Sequence, residues 1–162
     1  MSDDFVGCPE ELCQQSEHSP GVVENEEDIA RIVIAPEHID AATRELKPGA
    51  FRIQHLKDRG LSLVRMQHAD QQSVESRAAA LAERRIGTTV EGLGVTLANN
   101  IRSLRDDEER QALCVLDDGD EDFPPHAIAI RSADQSDSSL RKLRGDLIDL
   151  FMPITSIGEA FS

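Results

Sequence analysis

The chain has 162 residues, 39% of them hydrophobic, which suits one domain built around a single aliphatic core. It carries 17 basic against 31 acidic residues, a formal charge of −14, and five Phe with no Trp or Tyr. That balance disfavours direct binding to nucleic-acid phosphates or to an anionic membrane, and it removes the stacking platforms that single-strand binders use.

The acidity has a location. Asp3, Asp4, Glu10, Glu11, Glu17, Glu24, Glu26, Glu27 and Asp28 all precede the first base, Arg31. Residues 1–28 therefore read as an acidic, flexible tail, too poor in large apolar side chains to offset its ordering entropy. The N-terminus lacks the basic and apolar regions of a signal peptide, and no stretch is long and apolar enough to span a bilayer. The expectation is a cytoplasmic protein, in which three cysteines (Cys8, Cys13 and Cys114) imply no disulfide framework.

The folded domain is expected over 29–162. Ile29-Ala30-Arg31-Ile32-Val33-Ile34 reads as a strand stopped by Pro36, and Glu37 to Leu46 as a short helix ended by Lys47-Pro48-Gly49. Ala50 to Gln54 and Leu61 to Arg65 read as two strands around a polar turn, the second with plain alternation. A helix follows, with Asp70 as N-cap, Val74, Ala78 and Leu81 on one stripe, Arg84-Arg85 in its last turn and Gly87 beyond. Residues 96–105 fit a helical face slightly better than a strand. Ala112 to Leu116 and His126 to Arg131 read as strands joined by an acidic loop. Asp137 to Phe151 reads as the closing helix, with Leu140, Leu143, Leu147, Ile148 and Phe151 buried and Pro153 as its stop. Hairpin-length links between paired strands point to an α+β fold: a largely antiparallel sheet packed by two or three helices.

Three groups of residues carry chemistry. The first is acidic: Glu24, Glu26, Glu27 and Asp28 of the tail, with Asp117, Asp118, Asp120, Glu121 and Asp122 of the loop. Clustered carboxylates steer cationic partners, so the primary expectation is a non-enzymatic interaction protein of accessory, inhibitor or immunity type that binds a positively charged protein. The loop lacks the ligand spacing of a calcium site, and its plain alternative is a solvated hairpin that discourages edge pairing.

The second group is Arg31, Ser62 and His126. Arg31 interrupts an apolar strand, Ser62 puts a hydroxyl in a strand, and Pro124-Pro125 stiffen the approach to His126 at a strand mouth. An arginine clamp and an imidazole base would suit a small enzyme or nucleotide-binding domain. As isolated residues they resemble the pocket of ADP-ribosyltransferase-like folds, which implies a hold on NAD, although this chain has no Tyr and no spacing motif of that family. Each also has an ordinary structural role: a snorkelling Arg, a backbone-bonded Ser, a strand-entry His.

The third group is Cys8, Cys13 and His18, which offer three of the four ligands a zinc site needs, with Cys114 or His38 as a fourth. Gly92-Leu93-Gly94 offers free N–H groups to a phosphate but lacks the rest of a nucleotide loop and reads as a connector. No hydrolase signature and no cofactor motif is present.

Overall fold

The computed structural model describes Cys8 and residues 17–162; Cys13 and most of the expected tail lie outside the described residues. The fold is α+β, a five-stranded antiparallel sheet in the order β3-β1-β2-β5-β4. The strands are β1 (Asp28–Ala35), β2 (Leu61–Arg65), β3 (Thr89–Leu97), β4 (Leu113–Asp117) and β5 (His126–Arg131). The helices are α1 (Ile53–Lys57), α2 (Gln71–Glu83), α3 (Ala98–Arg102), α4 (Asp137–Phe151) and α5 (Ile157–Ala160). None of the described helices is long and apolar enough to cross a membrane.

Strand alternation divides the apolar residues between two faces. On one face Ile29, Val33, Leu61, Leu63, Val115, Ala127 and Ala129 pack against Leu140, Leu143, Leu147 and Phe151 of α4. On the other Ala30, Ile32, Ile34, Val64 and Leu93 meet Val74 and Ala78 of α2, with Phe123. Both long helices begin on a side-chain cap: Asp70, as expected, accepts from the Ser73 N–H at 2.7 Å, and Ser136 accepts from the Ser139 N–H at 3.0 Å.

Three local expectations are corrected. Residues 37–46 form no helix, because Asp40 turns its carboxylate onto the N–H groups of Ala42 and Thr43 and Arg44 sits at φ 63°. A side chain that captures its own backbone donors competes with the helical ladder. Residues 50–54 are not a strand: a 3-10 turn over Pro48–Ala50 leads into α1, which ends at Lys57 and is followed by Gly60 in the left-handed region.

The third correction is β3. Gly92-Leu93-Gly94, expected as a connector, is part of a paired edge strand, with Leu93 also bridged to Thr155. A Cβ on Gly92 would lie 2.0 Å from the Thr155 carbonyl oxygen, and one on Gly94 would lie 2.6 Å from that of Phe151. The glycines let the chain after α4 cross directly over the strand.

The described part of the expected tail lies along the body. Val23 and Glu27 are buried, and Arg102 donates to the Val23 carbonyl at 2.8 Å and the Asn25 side chain at 2.8 Å. Cys8 is disulfide-bonded to Cys114 of β4, 106 positions away, which corrects the expectation of reduced cysteines.

Candidate functional site

β1 and β2 pair only through Ile29↔Arg65 and Ala30↔Val64, while β1 stays paired with β3 along its length. Past Ala30 the sheet opens between β1 and the central strand β2. Arg31 fills the opening: its Nε donates to the Ala50 carbonyl at 3.0 Å and its Nη1 to the Ser62 carbonyl at 3.2 Å. A side chain that would otherwise share the α4 face is held in the split by these two carbonyls.

A cavity of about 570 Å³ lies at this split, lined from β1, β2, β5, α1 and α2. Arg31, Ser62 and His126 all line it. The β2–β5 register sets Val64 opposite His126 and Ser62 opposite Ile128, so Ser62 and His126 are diagonal neighbours on the α2 face.

Arginine dominates the walls. Arg31, Arg52, Arg59, Arg77, Arg84 and Arg85 line the cavity against only two carboxylates, Glu37 and Asp118. Both acids are already engaged, Glu37 with Arg52 and Asp118 with His126. Arg77 lies over the Phe123 ring, 5.0 Å from its centroid. Arg59, Arg84 and Arg85 have no ion-pair partner among the described residues, in a chain with 31 acids.

The charges depress one another. Burial presses the Arg31 pKa down to about 10, Glu37 pulls it up and Arg52 pushes it down again. Burial, then Arg31, brings His38 to about 4, so its imidazole is neutral at pH 7 and accepts the Ile34 N–H at Nδ1. His55 falls for the same reasons, loss of solvent first and then Arg31 and Arg52. Clustered cations of this kind are unfavourable until an anion joins them.

His126 is the other polar feature of the cleft. It is 9% exposed, and its Nδ1 lies 2.9 Å from the Asp118 carboxylate and 3.2 Å from the Asp118 carbonyl. Its Nε2 is buried and makes no hydrogen bond. Backbone pairing fixes the dyad, because the Asp118 N–H donates to the His126 carbonyl at 2.9 Å and the Arg65 N–H to the Pro125 carbonyl at 2.8 Å.

The acidic residues singled out as partner-binding scatter in role. Glu27 and Asp117 are not available to a partner: both are buried on Arg65, which is 1% exposed. All five N–H groups of that guanidinium are used, on Glu27 at 2.8 and 2.7 Å, Asp117 at 3.2 Å, and the carbonyls of Gly21 at 2.6 Å and Val22 at 3.0 Å. Burial pushes Glu27 up, yet bonds from Arg65 and the Glu24 N–H hold its pKa below the usual carboxylate value. Asp28 accepts from Gln67 at 3.0 Å. Glu24, Glu26, Asp120, Glu121 and Asp122 are exposed, Asp120 also capping the Phe123 N–H at 2.8 Å.

Of the proposed zinc ligands Cys13 lies outside the described residues; Cys8 and Cys114 are bonded to each other, His18 lies 3.8 Å from Glu17, and no metal-ligating cluster occurs among the described residues.

The cationic companions of Arg31 are the residues that sequence reasoning passes over. Arg84-Arg85 reads as a helix-end pair, Arg52 as part of the expected 50–54 strand and Arg59 as part of the polar turn after it, because their convergence depends on the split sheet. A comparison of the chain with protein-family models, with curated proteins and with solved structures finds no match in any of the three.

Proposed function

We propose that this chain binds a phosphate-bearing small molecule of nucleotide size in the arginine cleft. The observation that carries this reading is a set of arginines gathered around one cavity and left without carboxylate partners in a strongly acidic protein. A purely structural arrangement would neutralise them, as Arg65 is neutralised by Glu27 and Asp117. A guanidinium fork matches phosphate geometry, and a bound anion relieves the part of the His38 and His55 depression that comes, after burial, from neighbouring arginines.

Size and lining agree. Ligand sites of drug-sized molecules run from about 300 to 1,000 Å³, and Ile32, Ile34, Leu63, Val64, Leu81 and Ile128 offer this one apolar surface for the body of a ligand. The overall charge of −14 repels a long polyphosphate strand, whereas a small anion inside the cleft feels mainly the local arginines.

The test is thermal stability of the full chain with inorganic pyrophosphate and with ADP. A ligand at a hundred times its Kd stabilises by about 2.7 kcal/mol, a rise of several degrees for a domain of this size. Arg59→Glu and Arg85→Glu, both at exposed positions, are expected to abolish the rise without lowering the unliganded Tm. An unchanged Tm with both probes, or an equal rise in the charge-reversed variants, refutes the reading.

A second reading, a basic protein partner, is supported by Glu24, Glu26, Asp120, Glu121 and Asp122, which are exposed and unpaired among the described residues. It requires a companion released by moderate salt and lost on reversing those five charges.

A further inference from the structure

The inference rests on the cleft reading and deepens it from binding to chemistry. His126 and Asp118 have a fixed division of protons. Both oxygens that face Nδ1, the Asp118 carboxylate and carbonyl, are acceptors, so Nδ1 carries the hydrogen. In the neutral ring Nε2 is then a lone pair, buried and without a partner on a residue that lines the cleft. Leaving a buried acceptor unmatched costs about 1–3 kcal/mol, and native proteins keep such a group chiefly where a ligand or a reaction completes it. Nε2 is closed to the cleft as well as to bulk water, so a ligand reaches it only where the side chains over it move aside.

The surroundings hold the ring still. The Asp118 backbone is paired with His126, and Gly119 passes so close to the Pro124 carbonyl that a Cβ would sit 2.3 Å from its oxygen. An oriented imidazole in a cleft that also holds guanidinium groups without ion-pair partners suits proton transfer from a nucleophile at a bound phosphate.

We propose that His126, oriented by Asp118, is the general base for hydrolysis of a phosphoanhydride held by the cleft arginines. Nε2 takes a proton from a water carried in with the ligand as that oxygen bonds to phosphorus. The bond from phosphorus to the bridging oxygen breaks with its electron pair on that oxygen, which then receives the proton from Nε2. The two products are phosphate-terminated and leave His126 neutral, as it began. The arginines neutralise charge that grows on the phosphoryl oxygens in the transition state. Asp118 acts through His126 and is a positioning residue.

The experiment follows phosphate release from inorganic pyrophosphate and from ADP by the full chain, with pyrophosphate binding measured by calorimetry on the same samples. The wild-type chain is expected to turn over at least one probe. His126→Gln and His126→Asn, two variants of different length in case one folds poorly, are expected to lower kcat about 10²–10⁴-fold while pyrophosphate binding is retained. Asp118→Asn is expected to lower kcat with KM unchanged, a split that a merely structural role would not produce. Pyrophosphate binding with no release above the uncatalysed rate, or wild-type kcat in both His126 variants, overturns the catalytic role and leaves the binding reading standing. Absence of binding overturns both.

Discussion

Replacing Arg65 with methionine tests whether the first acidic segment is part of the fold. The change keeps a flexible apolar stem but removes a guanidinium whose five N–H groups all have partners. Two carboxylates stay behind, Glu27 at 6% and Asp117 at 0% exposure. Removing one member of a buried ion-pair network costs about 3–5 kcal/mol, because the remaining charges lose their compensation and cannot reach water. Against a total stability of about 5–15 kcal/mol that is a large fraction. With a urea slope of about 2 kcal/mol per M, the midpoint falls by about 2 M. The chain has no Trp or Tyr, so far-UV circular dichroism is the assay.

Two controls separate charge from packing. Adding Glu27→Gln and Asp117→Asn to Arg65→Met removes the orphaned charges and is expected to recover at least half of the loss. In the single variant Glu27 keeps the Glu24 N–H but loses the Arg65 bonds, and burial, the largest influence on it, then raises its pKa above its unfolded value. A group raised in the folded state contributes most below its unfolded pKa and loses that contribution as pH rises. Arg65→Met is therefore expected to lie closer to wild-type stability at pH 5 than at pH 7. A midpoint change below about 0.5 M, or no recovery in the triple variant, would show that Glu27 and Asp117 are not held inside by Arg65.

His38 sets a second pH dependence of opposite sign. Its pKa is about 4 in the fold and about 6.5 unfolded, so the unfolded chain takes up the proton first as pH falls. The stability is full above pH 6.5 and about 2 kcal/mol is lost by pH 5, with His55 shifted the same way. Urea midpoints at pH 7.5 and 5 are expected to differ less in His38→Gln than in wild type, and equal differences would exclude His38 as the source. The Cys8–Cys114 bond closes a loop of over a hundred residues, so reduction or Cys114→Ser is expected to cost about 3–5 kcal/mol. A non-reducing peptide map should join the two cysteine peptides, and two free thiols there would refute the pairing.

How much of this was readable in the chain varies by element. α2, α4, β2, β4 and β5 carry their own signals: Asp70 before a periodic stripe in α2, the apolar stripe of α4 stopped by Pro153, plain alternation in β2, and short apolar runs between turn residues in β4 and β5. β3 is hidden because its glycines answer to Thr155 and Phe151, residues about sixty positions away. The 37–46 segment misleads because helical spacing of Ile39 and Leu46 mimics a stripe, whereas the two residues form a bridge across a turn.

The site divides in the same way. Arg31, Ser62 and His126 stand out in the sequence because each is a polar group in an apolar strand. Their meeting in one cavity, and the arrival of Arg52, Arg59, Arg77, Arg84 and Arg85 around them, depend on the opening between β1 and β2. The carboxylates are the converse case, since composition locates them but does not distinguish Glu27 and Asp117, buried on Arg65, from Glu24 or Glu121 in solvent.

The sequence by itself therefore determined the α+β class, the two long helices and the excess of negative charge, all of which follow from periodicity, capping and composition over a few turns of chain. The tertiary structure decided where charge is spent and where it is left over. Pairing between charges falls off over a few ångströms, and which residues come that close is set by strand register and by one gap in a sheet.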